Sequence, residues 1–130
     1  GWREALTGAN VKKIAIANPE TAPYGAAALK ALQAGGLETA VKPRLVNAQD
    51  IAQAFQYALT GAVDAGFCAL SAAYSEEGKK GCFLAVDEAP AVVQAACLLK
   101  KKENADAAKK FAEFLVSDEA RTIMAKYGYK

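Results

Sequence analysis

The sequence contains no histidine, and this absence restricts the chemistry that the chain can support. Histidine is the side chain that enzymes use most often as a general base, and it is the commonest metal ligand. Without it, Cys68 has no partner for Cys–His nucleophilic chemistry. The carboxylates of Asp87 and Glu88, beside Pro90, are interpreted as a solvated turn and not as a catalytic pair. We therefore predict no catalytic residue, no metal site and no cofactor.

An excess of charge of one sign is also missing. The chain has 16 basic and 14 acidic residues, which gives a formal net charge of +2. This balance does not indicate a nucleic-acid partner, because domains that bind nucleic acid carry a clustered basic surface. The one basic run, Lys100 to Lys102, is interpreted as a solvated strand end or loop. No apolar run reaches the roughly 18 residues that a membrane-spanning helix needs.

Cysteine is scarce, and the three cysteines fit no metal-binding pattern. Cys68, Cys82 and Cys97 match neither a zinc nor an iron–sulfur spacing. Each has apolar or small neighbours, so we predict buried free thiols that pack as small hydrophobic side chains. A Cys68–Cys97 or Cys82–Cys97 disulfide stays open as an alternative in an oxidising compartment.

Apolar residues are plentiful, at 53% of 130 residues, and their spacing predicts an α/β fold. Strand and helix patterns alternate as β–α–β–α–β, which favours a parallel sheet with right-handed crossovers. Asn47 is a candidate N-cap of the second helix, with Asp50 three residues later in a capping-box pattern. The predicted strands are 12–17, 42–46 and 63–69, and the predicted helices are 24–33 and 50–59.

The pattern changes after residue 76. Apolar runs at 82–86 and 92–99 are typical of strands, and 105–116 is a strongly amphipathic helix. Ser117 is expected to cap a further helix that buries Ile123 and Met124 and ends at Gly128.

The segment from Ile14 to Gly25 is the most informative part of the chain. It predicts a buried strand, a turn at Asn18-Pro19, and a helix with Pro23 in its first position. The backbone N–H groups of the next two residues have no acceptor inside such a helix, so they form a potential anion site without a charged side chain. From spacing alone, an ordinary strand-to-helix turn remains the alternative.

Several stretches of the chain resemble the periplasmic molybdate-binding proteins of ABC importers, which have the type II periplasmic binding fold. The string Asn-Pro-x-x-x-Pro-Tyr-Gly at residues 18–25 is the most specific of them. The others follow in the family's order, at residues 45–57, 61–71 and 107–120, with Tyr127-Gly128-Tyr129 at the end.

The resemblance implies a mostly parallel sheet flanked by helices, with further C-terminal helices. Residues 1–95 would form the second lobe of a two-lobed protein, and residues 96–130 would be the crossover strand and helices that return to the first lobe. Molybdate or tungstate would be held by backbone N–H groups, with Tyr24 as a ligand beside Pro23 and Gly25, and Ile51 at a second helix start. Ala69 stands where some members have a tyrosine ligand.

The resemblance also implies partners and a location. It places the protein in the periplasm, with a membrane permease as partner, and it implies no nucleic acid. By this resemblance, the 130 residues are expected not to include the N-terminal lobe, so either that lobe or self-association is expected to cover Leu98, Phe111, Leu115 and Ile123. Glu20 is expected to point to solvent, away from the anion. The alternative is an effector-sensing domain of a cytoplasmic transcription regulator with the same fold.

Overall fold

The computed structural model describes residues 1–100 and 103–130, so Lys101 and Lys102 of the basic run lie outside the described residues. The described chain divides into two units, Gly1–Val92 and Val93–Lys130. The helices are α1 (Trp2–Thr7), α2 (Pro23–Ala34), α3 (Glu38–Val41), α4 (Ile51–Leu59), α5 (Leu70–Ala73), α6 (Ala105–Leu115) and α7 (Asp118–Lys126), with 3-10 turns at Lys42–Arg44 and Gly78–Lys80. The strands are β1 (Ile14–Ala17), β2 (Leu45–Ala48) and β3 (Ala65–Gly66).

The first unit contains a three-stranded parallel sheet in the order β2-β1-β3. The central strand β1 pairs with both neighbours, and its last residue, Ala17, lies opposite Ala48. All four residues of β1 are buried, as expected for the central strand of a parallel sheet covered on both faces. The predicted β–α–β–α–β order and parallel sheet are confirmed.

Helices cover both faces of this sheet. Because side chains alternate along β1, successive residues of this strand pack against the helices of opposite faces. Ile14 and Ile16 pack in one core cluster with residues of α1 and α2, including Trp2 and Leu32. Ala15, between them, packs in a second cluster with Ala48, Ala54 and Val63, which brings in α4. The small side chains of the second cluster allow α4 to approach the sheet closely.

All three strands differ in their bounds from the prediction. The first strand begins at Ile14 and not at residue 12. The second strand is Leu45–Ala48 and not 42–46, because Lys42–Arg44 form a 3-10 turn around Pro43, which has no N–H to give to a ladder. Asn47 therefore lies within β2, and the prediction that it caps the next helix is wrong. The third strand is only Ala65–Gly66 and not 63–69.

The apolar runs at 82–86 and 92–99 are not strands in the described part of the chain, so these two predictions are wrong. Val93 is 88% exposed and Leu99 is 70% exposed. A strand requires a partner that accepts and donates its backbone hydrogen bonds, and apolar composition alone does not supply one.

The second unit contains α6 and α7, both near their predicted positions. The Ser117 hydroxyl accepts a hydrogen bond from the Ala120 N–H at 3.2 Å, which confirms the predicted cap. Gly128 has a φ of 79° and follows the helix end, as predicted. The predicted burial of Ile123 and Met124 is wrong, because Ile123 is 43% exposed and Met124 is half-buried.

The three cysteines are free thiols. Cys82 and Cys97 are exposed, so the prediction that all three are buried is wrong. Cys68 is half-buried, and this burial raises the pKa of its thiol. Among the described residues, no helix combines the length and the apolar character needed to cross a membrane.

Candidate functional site

The connection between β1 and α2 is held by backbone hydrogen bonds. The Asn18 N–H donates to the Ala48 carbonyl at 2.8 Å, which continues the parallel pairing past the end of β1. The Asn18 side-chain oxygen accepts from the Glu20 N–H at 3.0 Å, and the backbone carbonyl of Asn18 accepts from the Ala22 N–H at 2.8 Å. These bonds form a compact turn of the kind that asparagine favours. The start of α2 is therefore fixed relative to the end of the strand.

Gly25 lies directly against the carboxyl end of β1. A Cβ atom at this position would be 2.1 Å from the Ala17 oxygen and 2.9 Å from the Asn18 carbonyl carbon. Both atoms belong to the backbone, so no side-chain rotation relieves the overlap. Only glycine allows the first turn of α2 to approach the strand this closely.

The first turn of α2 presents backbone donors at this edge of the sheet. Pro23 is exposed at the first helical position and has no N–H, so it shapes the helix start without donating. The first hydrogen bond inside the helix is donated by the Ala26 N–H, to the Ala22 carbonyl at 3.0 Å. Tyr24, half-buried, and Gly25, buried, lie in the first turn of α2 before that donor.

The start of α4 carries a reciprocal pair of side-chain hydrogen bonds. The Asp50 carboxylate accepts from the Gln53 N–H at 2.8 Å, and the Gln53 side-chain oxygen accepts from the Gln49 N–H at 2.7 Å. The Asp50 carbonyl also accepts from the Ala54 N–H at 3.1 Å. Ile51 is the first residue of α4, as expected, whereas the cap is Asp50 and not Asn47. The Asp-x-x-Gln spacing was the signal for it.

Both helix starts lie at one edge of the sheet. β1 and β2 are parallel neighbours in register at Ala17 and Ala48, and each runs directly into the loop that precedes its helix. Crevices outside the carboxyl ends of parallel strands are where open α/β sheets bind ligands. Glu20, in the first of these loops, is exposed, in agreement with the expectation that it faces solvent.

The region after β3 adds no side-chain donor at the expected position. Ala69 is buried and precedes the four-residue α5. Within the described residues, no group of histidine, cysteine and carboxylate side chains is placed to hold a metal ion.

Asp87 and Glu88 lie in an exposed turn, as predicted, and Glu88 also bonds to α1. Its carboxylate accepts from the Trp2 indole N–H at 2.8 Å and from the Arg3 guanidinium at 2.7 Å. A hydrogen bond from its own backbone N–H, followed by the Trp2 bond, lowers the pKa of this carboxyl. Glu88 thus connects the loop before Pro90 to α1.

A parallel sheet flanked by helices on both faces, with two helix starts at its carboxyl edge, places the chain in the periplasmic-binding-protein-like class of α/β folds. The chain belongs to the bacterial extracellular solute-binding protein family, whose sequence profile matches residues 1–130.

Two curated relatives carry the name molybdate-binding protein ModA. The protein from Rhodobacter capsulatus is 38% identical over 125 residues, which are 96% of this chain and 50% of that protein. The protein from Azotobacter vinelandii is 39% identical over 121 residues, which are 91% of this chain and 48% of that protein. The chain therefore spans about half the length of the curated relatives it matches.

A solved structure shows the same similarity in three dimensions. The periplasmic molybdate-binding protein of Azotobacter vinelandii superimposes with a TM-score of 0.83 and 30% sequence identity. The match covers 98% of this chain and 57% of that one. The predicted fold class and family resemblance are confirmed.

Proposed function

We propose that this chain is part of the solute-binding component of an ABC importer and that it binds a tetrahedral oxyanion, molybdate or tungstate. The observation that carries the proposal is that two helices, α2 and α4, begin just after the neighbouring carboxyl ends of β1 and β2. The similarity to two proteins named for molybdate binding supports the choice of oxyanion.

In the proposed site, the N–H groups of Tyr24, Gly25 and Ile51 donate to the anion, and Pro23 sets the start of α2. Helix N-termini carry partial positive charge, so they stabilise a dianion without a lysine or arginine. A hydrogen bond to a charged group contributes about 1.5–3 kcal/mol, so each correctly placed donor matters. Selectivity against sulfate, which is also a tetrahedral dianion, then depends on cavity size and the number of donors.

We further propose that residues 1–95 form one lobe and that residues 96–130 include the segment that returns to another lobe. Large apolar side chains of the second unit are exposed, including Leu98 at 54% and Phe111 at 60%. A group of exposed apolar residues of this kind favours association with another surface. Either the rest of a two-lobed protein or a second copy of the chain would cover them.

The proposal places the protein outside the cytoplasm, with a membrane permease as its partner. It includes no catalytic step, in keeping with the binding-protein names of its relatives. The similarities give no support to the effector-sensing alternative.

Calorimetric titration with molybdate, tungstate, sulfate and phosphate, together with light scattering for mass, tests the proposal. Binding of molybdate and tungstate, with sulfate and phosphate much weaker, is the expected result. A chain that binds sulfate or phosphate as well as molybdate would refute the proposed selectivity, and a folded chain that binds none of the four would refute oxyanion binding by this chain.

A further inference from the structure

We infer that Asp50 is a positioning residue of the proposed oxyanion site and that its negative charge limits the affinity of this site for oxyanions. The inference rests on the proposed function.

The positioning role follows from the hydrogen bonds at the start of α4. The Asp50 carboxylate accepts a hydrogen bond from the Gln53 N–H at 2.8 Å, and the Gln53 side-chain oxygen accepts one from the Gln49 N–H at 2.7 Å. Two of the backbone donors around this helix start are therefore already used by the protein. The donor left at the first helical position is the N–H of Ile51, and the cap fixes its direction.

The charge of Asp50 acts against the same ligand. Residues 51–59 contain no charged side chain, so Asp50 is the only charge on the helix or its cap. The carboxylate is bonded to the Gln53 N–H, two residues along the helix from Ile51, so an anion on the Ile51 N–H would lie roughly 5 Å away. In water, repulsion between a unit charge and a dianion at that distance weakens binding about tenfold, and less as salt screens it.

Asparagine separates the two roles of this residue. Asn caps helices about as well as Asp, so Asp50→Asn retains the hydrogen bond to Gln53 and removes only the charge. Asp50→Ala removes both. Glu20→Gln is the matched control, because Glu20 and Asp50 are both exposed carboxylates near a helix start. Within the part of the chain that the structure describes, the side chain of Asp50 is bonded to the helix start, whereas that of Glu20 is bonded to neither helix.

The test is an NMR titration of the whole 130-residue chain with sodium molybdate, following the backbone amides of α2 and α4. Measurements are made at about 20 mM and about 500 mM sodium chloride, where screening lengths differ severalfold. We expect Asp50→Asn to bind about three- to tenfold more tightly than the parent at low salt, and the ratio to approach one at high salt. Glu20→Gln is expected to stay within about twofold of the parent. Asp50→Ala is expected to melt at a lower temperature and to lose the gain seen for Asn.

The role of the charge would be overturned if Asp50→Asn bound molybdate with the same affinity as the parent at low salt. The positioning role would be overturned if the Ile51 amide did not shift while the α2 amides did. If no amide of the parent or of any variant shifts with molybdate, the proposed function itself fails, and this inference fails with it. Failure of the inference and failure of the proposed function are distinguishable, because only failure of the proposed function abolishes all amide shifts.

Discussion

Replacing Gly25 with alanine tests the packing on which the proposed site depends. The added Cβ would lie 2.1 Å from the Ala17 oxygen, whereas an ordinary van der Waals contact begins at 3.4 Å. The start of α2 would have to move away from β1 by roughly 1 Å, and interiors that are already packed resist such shifts. The movement would also strain the nearby bond from the Asn18 N–H to the Ala48 carbonyl.

The magnitude follows from opposing contributions. Overpacking of this kind costs about 1–3 kcal/mol, and a lost backbone hydrogen bond adds about 1 kcal/mol. Alanine in a helix offsets about 1 kcal/mol of this, because glycine is the poorer helix former. We therefore expect Gly25→Ala to lower the free energy of unfolding by about 1–3 kcal/mol. In the proposed site, displacement of the Tyr24 and Gly25 donors should weaken molybdate binding at least about tenfold.

Urea unfolding followed by tryptophan fluorescence measures the stability change. Trp2 is the only tryptophan, and it lies in the same core cluster as Ile14 and Ile16. Gly8→Ala is the matched control, since its Cβ would meet backbone atoms at 3.4 and 3.8 Å and its φ of −55° suits alanine. A Gly25→Ala protein as stable as Gly8→Ala would refute the close-approach argument.

Substitutions at three further positions test other parts of the structure. The Asp64 carboxylate accepts from the Lys13 and Lys12 N–H groups, and these bonds lower the pKa of Asp64. The contribution of Asp64 to stability is thus present above its pKa in the unfolded chain and is lost as pH falls through its pKa in the folded chain. Asp64→Asn should therefore lower the melting temperature at pH 7 and flatten the dependence of the melting temperature on acid pH. Equal acid profiles would contradict this. Glu88→Ala should expose the indole of Trp2 to water and so red-shift its fluorescence, because the indole N–H loses its acceptor. An unchanged spectrum would argue against that bond. Asn104, at a φ of 57°, should tolerate glycine, whereas alanine should cost about 1 kcal/mol in circular-dichroism melting; equal melting of the two variants would contradict the left-handed geometry.

The sequence predicts the elements of this fold well where one local signal determines the structure. The segment from Ile14 to Gly25 combines a short apolar run, Asn-Pro and a second proline, and each of these restricts the backbone in the same direction. Ser117 and Gly128 likewise define the ends of α7 through local geometry. The order of elements and the position of the candidate site follow from such signals.

The errors fall where structure depends on a distant partner. The runs at 82–86 and 92–99 have strand-like composition, but pairing depends on residues far away in the chain or outside it. The prediction that Ile123 and the cysteines are buried relies on their neighbours in sequence, whereas burial is set by what packs against them in three dimensions. Asn47 is the predicted cap of α4, but Asp50 caps it, because β2 runs through Asn47 to Ala48 in its pairing with β1.

In the proposed site, the ligand donors belong to the backbone, and this changes which residues matter. A side-chain substitution leaves an N–H group in place unless the new residue is proline, so affinity depends on residues that set backbone position. Gly25 does this by allowing close approach to Ala17, and Asp50 does it by capping α4. Neither residue would be found by a search for charged anion ligands, because one has no side chain and the other has the wrong charge. The same reasoning explains why a carboxylate can stand beside an oxyanion site: its capping bond stabilises the helix start, and solvent screening limits the repulsion that it adds.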